Sequence, residues 1–155
     1  MNHITLTDHI GQRNLAGHLH RLSRTLSALS EHRWARDGYA DMRSAHVQLL
    51  RNLDEAGTRG TVLAQRAQVT KQTMGRLVKE LAAAGYVATA PDPHDSRAAL
   101  VVLTPRGQAF LHYLAGTLVD LEEAFKRVLG EAGLTEFAAA TQQLLAFAEK
   151  RQQEL

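Results

Sequence analysis

The chain has 155 residues, 45% of them hydrophobic and 22% charged, with a net charge of +2 and no cysteine. That length and composition suit one globular domain or two very small ones. Without cysteine, thiol catalysis, cysteine-ligated zinc, disulfides and thiol redox sensing are excluded. No apolar run approaches the roughly 20 residues of a membrane span, and the start, MNHITLTDHIGQR, is too polar for an export signal. A cytoplasmic protein with no membrane partner is therefore expected. The charge is unevenly spread: from Arg59 to Arg106, seven Lys and Arg residues stand against three acids. A basic middle between neutral-to-acidic ends points to a polyanion as its partner.

In chain order, Leu15, Leu19, Leu22, Leu26 and Leu29 recur in steps of four and three, the apolar stripe of a helix. HRWARDGYAD, with Gly38, reads as a loop. A second helix fits Asp41 to Glu55, with Met42, Ala45, His46, Leu49, Leu50 and Leu53 on one face and Gly57 as its stop. Two further runs follow in TVLAQRAQVTKQTMGRLVKELAAAGYV, with Thr61 and Thr70 as expected N-caps. The first is short, turns Leu63, Ala64 and Ala67 inward and ends near Val69. The second buries Met74, Leu77, Val78 and Leu81 and stops at Gly85. Two helices joined this closely form a helix-turn-helix.

Two strand-like pieces, Tyr86 to Ala90 and Ala98 to Leu103, then flank PDPHDSR. Pro91 and Pro93 cannot donate to a ladder, so this knot is expected to project as a turn. Asp95 and Arg97, two residues apart, point to one side of an extended chain. Helix, helix, hairpin is the order of a winged helix. Beyond it, Thr104 caps a helix that has Pro105 at its first position. Leu111, Leu114, Leu118, Leu121, Phe125 and Val128 continue it until Gly130 and Gly133 break it. Thr135 is expected to cap a last helix with Phe137, Ala140, Leu144, Leu145 and Ala148 on its apolar face. The leucine stripes at the two ends need burial, and a symmetric dimer is the simplest source of it. The expected fold is therefore mainly α: a winged helix-turn-helix at 41–103, with a hairpin or three-stranded wing, and dimerisation helices from 1–40 and 104–155.

At this point the residues resemble the MarR (multiple antibiotic resistance regulator) type of bacterial winged-helix transcription factor. The resemblance spans nearly the whole chain in element order and is densest from Leu63 to Gly107. DPHDSRAALVVLTPRG fits the family's wing pattern of Asp-Pro, Asp-x-Arg, an apolar strand, then Leu103, Thr104 and Gly107. LAAAGYV looks like the family's recognition-helix end. The resemblance implies a homodimer, a repressor by family habit, on palindromic double-stranded DNA, with its fourth helix in the major groove and its wings flanking each half-site. The chemistry of the residues agrees: with the apolar face turned inward, Lys71, Gln72, Thr73, Arg76 and Lys79 remain outside, and Thr70 lies at their helix start. Gln matches adenine N6 and N7, Arg matches guanine O6 and N7, and Lys or Thr can hold phosphates. Arg97 resembles the wing-tip arginine that enters the minor groove, with Asp95 holding its orientation.

In this family, effectors often bind between the dimerisation helices and the winged helix. Trp34, Tyr39, Met42, His46 and Tyr113 are the candidates here, a set that suits an amphipathic aromatic or phenolic ligand. Eight histidines raise the alternative of a zinc-responsive regulator of the same fold. Helical metal pairs need i,i+3 or i,i+4 spacing, however, and His18 and His20 stand at i,i+2, so no metal or other cofactor is expected. An enzyme is not expected either: the chain has no phosphate-cradling glycine loop, nucleophile elbow or acid pair in a plausible cleft. A winged helix serving only as a protein-interaction module is the remaining alternative. The basic outward face of the second run and the wing arginine argue against it.

Overall fold

Asn14 opens the first helix by accepting the Gly17 N–H on its side-chain oxygen at 2.7 Å. The computed structural model describes residues 14–154; the polar opening segment and Leu155 lie outside them. Helix α1 spans Leu15–Arg36 and takes in residues 32–36, where a loop is expected from the sequence. Those residues hold no helix breaker. The chain leaves the helix only at Asp37 and Gly38, where φ reaches +96°.

Helix α2, Ser44–Leu50, is shorter than expected at both ends. Arg43 is extended, and the Ser44 N–H is taken by Glu31 Oε1 at 2.6 Å. Met42, His46, Val47, Leu49 and Leu50 are buried, whereas Ala45 faces solvent. Gly57 does not stop this helix. It leads into strand β1 (Thr58–Arg59), with φ +93° and no room for a Cβ, which would lie 2.7 Å from Val102 Cγ1.

Helix α3 is Gly60–Arg66, with Leu63 and Ala64 buried. Thr61 lies inside its first turn; Arg59 occupies the cap position and supplies no side-chain bond. Helix α4, Lys71–Ala83, is capped as its sequence predicts, with Thr70 Oγ1 accepting the Thr73 N–H at 3.1 Å. Gly85, at φ +78°, ends it. Met74, Leu77 and Leu81 are buried and Val78 half-buried.

Strands β2 (Val87–Asp92) and β3 (Asp95–Leu103) form an antiparallel hairpin, and β1 adds to the other side of β3. The wing is thus three-stranded, in the order β1-β3-β2. The strands run past the expected ends: Pro91 pairs with Ala99, and only Pro93 and His94 remain as the turn. A proline is tolerated there because β2 is an edge strand and its missing N–H would face away from the ladder.

Thr104 locks the return from the wing. Its hydroxyl donates to Gly85 O at 2.6 Å and accepts the Gly107 N–H at 3.2 Å. Helix α5, Pro105–Gln153, is interrupted at Gly130, whose φ of 73° and ψ of 166° are not helical. Thr135 is therefore no cap. It sits inside the second arm, donating its hydroxyl back to Glu131 O at 2.9 Å.

Two compact units result, one reaching to Phe110 and the other comprising Leu111–Leu155. In the first, Phe110 is fully buried, and Trp34, Tyr39 and Tyr86 pack edge-on around it at centroid distances of 5.8, 5.0 and 5.9 Å. Large apolar side chains stay exposed on each: Leu15, Leu22 and Leu29 on α1, and Val128, Leu129, Phe137, Leu144, Leu145 and Phe147 on α5. No helix among the described residues is long and apolar enough to cross a membrane.

Candidate nucleic-acid interface

The outer face of α4 is built by subtraction. Because Met74, Leu77 and Leu81 point into the core, Lys71, Gln72, Arg76 and Lys79 are left exposed and Thr73 half-exposed. Gln72, Thr73, Gly75, Arg76 and Lys79 line one open concavity of about 550 Å³. At the helix start, the Thr70 and Thr73 hydroxyls lie 2.9 Å apart, so Thr70 is engaged in closing the helix end. Lys71, Gln72 and Lys79 have no side-chain partner among the described residues. Arg76 differs: its Nη1 donates to Glu80 Oε1 at 3.1 Å, one helical turn on.

The wing tip is held from an unexpected side. Asp95 does not form an ion pair with Arg97; its Oδ1 accepts the Arg97 backbone N–H at 3.1 Å. The ionic partner of the tip is Arg59, at the end of β1. Arg59 Nε donates to Asp92 Oδ2 at 2.6 Å, and its Nη2 lies 3.5 Å from Asp95 Oδ2. Asp92 is buried and also accepts the His94 N–H at 2.8 Å. That backbone donor first, and then Arg59, hold its carboxyl below the usual aspartate range. With both acids occupied, the exposed Arg97 side chain has no hydrogen bond or ion pair among the described residues.

The candidate effector residues are placed as follows. Trp34 is 4% exposed and Met42 3%. Trp34 and Tyr39 meet on the Phe110 ring, and the Met42 N–H donates to Tyr39 O at 3.0 Å. His46 is buried and turned toward α4, with Nε2 2.9 Å from Glu80 Oε2. Tyr113 is half-buried and belongs to the second unit. No group of three or more His, Asp or Glu residues among the described ones could hold a metal ion.

Sequence reasoning missed three residues that shape this surface. Arg59 was counted in the basic middle but given no task, since its partner lies 33 residues away and β1 is too short to show alternation. Glu80 enters the sequence reading only as one of the three acids of the basic middle. Arg106 crosses the Tyr86 ring at 4.4 Å and, with the Tyr86 hydroxyl, binds Asp41 at 3.1 and 2.7 Å. This cluster ties the loop before α2 to the start of α5.

Residues 40–98 match the family model described as "MarR family". None of the curated proteins matches the chain. Among solved structures, the crystal structure of MarR is 23% identical, with a TM-score of 0.77 over 93% of this chain and 97% of that one. Streptococcus pneumoniae FabT in complex with DNA is 14% identical, with a TM-score of 0.77 over 88% and 96%. The Streptomyces coelicolor regulator PcaV, in complex with its natural ligand, is 21% identical, with a TM-score of 0.63 over 90% and 99%. At these identities the likeness is one of fold.

Proposed function

We propose that this chain, which carries a MarR-family winged helix over residues 40–98, is a transcriptional regulator that binds palindromic double-stranded DNA as a two-fold dimer. One observation carries the reading: within a single compact unit, Lys71 and Lys79 of α4 and Arg97 of the wing are exposed cations with no side-chain partner among the described residues. In the bound state α4 lies in the major groove, where Gln72 and Arg76 meet base edges and Lys71, Thr73 and Lys79 meet phosphates. Thr70 orders the start of that helix. Arg97 enters the flanking minor groove, and Asp95 supports it through its backbone. The DNA-bound FabT structure has the same fold, which supports this arrangement.

The dimer is supported by the apolar side chains left exposed on α1 and α5, more than an isolated small protein usually shows. Repression, relieved by a small aromatic or phenolic effector near Trp34, Tyr39, Met42 and His46, completes the proposal. The sole tryptophan would report such a ligand by its emission. A screen of aromatic acids and phenols that changes neither Trp34 emission nor DNA affinity would remove the effector from the account.

Fluorescence anisotropy on operator DNA tests the binding reading. If six to ten basic groups of a dimer neutralise phosphates, affinity falls by roughly 10³–10⁵ between about 50 and about 200 mM salt. A flat salt profile would contradict this surface.

A further inference from the structure

His46 is 3% exposed, yet it is an imidazole in a position that an apolar side chain could fill. Its Nε2 lies 2.9 Å from Glu80 Oε2. A carboxylate can only accept, so Nε2 is the donor of this bond. Nδ1 is buried and has no hydrogen-bond partner among the described residues. Burying an unpartnered nitrogen is unfavourable, and leucine would avoid it. What the imidazole supplies that leucine cannot is the single bond to Glu80.

Glu80 passes that anchorage on. Its other oxygen, Oε1, accepts from Arg76 Nη1 at 3.1 Å. The Glu80 carboxyl is held below the usual glutamate range, chiefly by the His46 bond, with the charges of Arg76, His46 and Arg43 adding to it against the opposing effect of burial, so it stays ionised to receive both. On an ordinary exposed helix both members of an i,i+4 pair wander, and neither fixes the other. Here one member is fixed to a buried group on another helix. The Arg76 side chain, 64% exposed, is thereby restrained at its base while its outer edge stays open to the concavity on α4.

We propose that His46 and Glu80 are positioning residues for DNA recognition: His46 anchors Glu80, and Glu80 holds the Arg76 guanidinium in the orientation from which it meets a guanine edge. The proposal rests on the DNA-binding reading above. It makes the α2–α4 contact part of the specificity of the surface, although His46 itself never reaches DNA.

A double-mutant cycle tests it, using full-length proteins, anisotropy on DNA selected by the wild type, and circular dichroism to confirm folding. His46→Leu is expected to weaken binding about tenfold and to flatten preference at the base that Arg76→Ala also affects. The double variant should bind no more weakly than Arg76→Ala alone. His46→Gln, whose amide N–H can still reach Glu80, should retain most of the affinity. Combined with Arg97→Ala, His46→Leu should instead multiply its loss, because the wing does not depend on it. If His46→Leu does not fold, Glu80→Gln takes its place in the same cycle. Losses from the α2 or Glu80 variant and from Arg76→Ala that simply multiply would overturn the inference and leave the DNA-binding reading standing. A wild type that selects no DNA would overturn both.

Discussion

Arg59 and Asp92 lie 33 residues apart in sequence and 2.6 Å apart in space. One guanidinium, at the junction of β1 and α3, thereby fixes both ends of the wing turn, Asp92 directly and Asp95 at 3.5 Å. Arg59→Ala should leave the fold intact but loosen the tip. Amide exchange at His94 and Arg97 should accelerate, and DNA affinity should fall as it does for Arg97→Ala. The same contact carries a pH signature. The Asp92 carboxyl is held below its ordinary value of 3.8, so its contribution is present above that value and is lost as pH falls through the lower folded one. Protection of the His94 amide should therefore persist throughout mildly acidic pH and be lost only below 3.8. Protection unchanged in Arg59→Ala would show that the turn holds without the arginine.

A second pH signature sits at the other end of the sheet. Burial, then the bond to Asp41, pushes the Tyr86 hydroxyl up to about 12. The protonated phenol is the form the fold favours. Stability from this group is therefore complete below the unfolded tyrosine value of about 10 and is lost as pH rises toward the folded one. In an ultraviolet titration, one of the three tyrosines should ionise late. Tyr86→Phe should remove that late step. Three coincident steps near the ordinary tyrosine value would contradict the placement of the ring.

Two glycines should respond in opposite directions. A Cβ at Gly107 would collide with the Tyr86 carbonyl and stand 2.9 Å from Leu103 Cδ2. Gly107→Ala should therefore destabilise the protein by about 1–3 kcal/mol. A Cβ at Gly75, in the exposed face of α4, would meet nothing within 4 Å. Gly75→Ala should stabilise the free protein by up to about 1 kcal/mol through helix propensity. Thermal melts decide both, and equal shifts would be inconsistent with the packing described.

The glycine pair also marks where the sequence was legible. Some single-residue signals stood in the letters: Thr70 as a cap, Gly85 as a stop, Pro105 as a helix start, Gly130 as a break. The same signals at Gly57, Thr61 and Thr135 were overridden by their surroundings. The inward set Met74, Leu77 and Leu81 was legible because burial follows helical period. Boundaries set by distant partners were not. Helix α1 continues through Trp34 because its final turn packs on Phe110. Asp41 lies outside α2 and serves Tyr86 and Arg106 instead. The Asp95–Arg97 pairing was read from alternation, which gives the side but not the partner. Arg59, from a strand of two residues, takes the carboxylates and leaves the Arg97 side chain free.

The central claim is that two copies of α4 and of the wing read one piece of DNA together. Selection of bound DNA from a random pool by the full-length protein tests this most directly. The account predicts inverted half-sites whose centres lie about 10–10.5 bp apart, one turn of B-DNA, with A·T-rich flanks under the wings. Enrichment of a single asymmetric site bound by one protomer, or of no sequence at all, would contradict it.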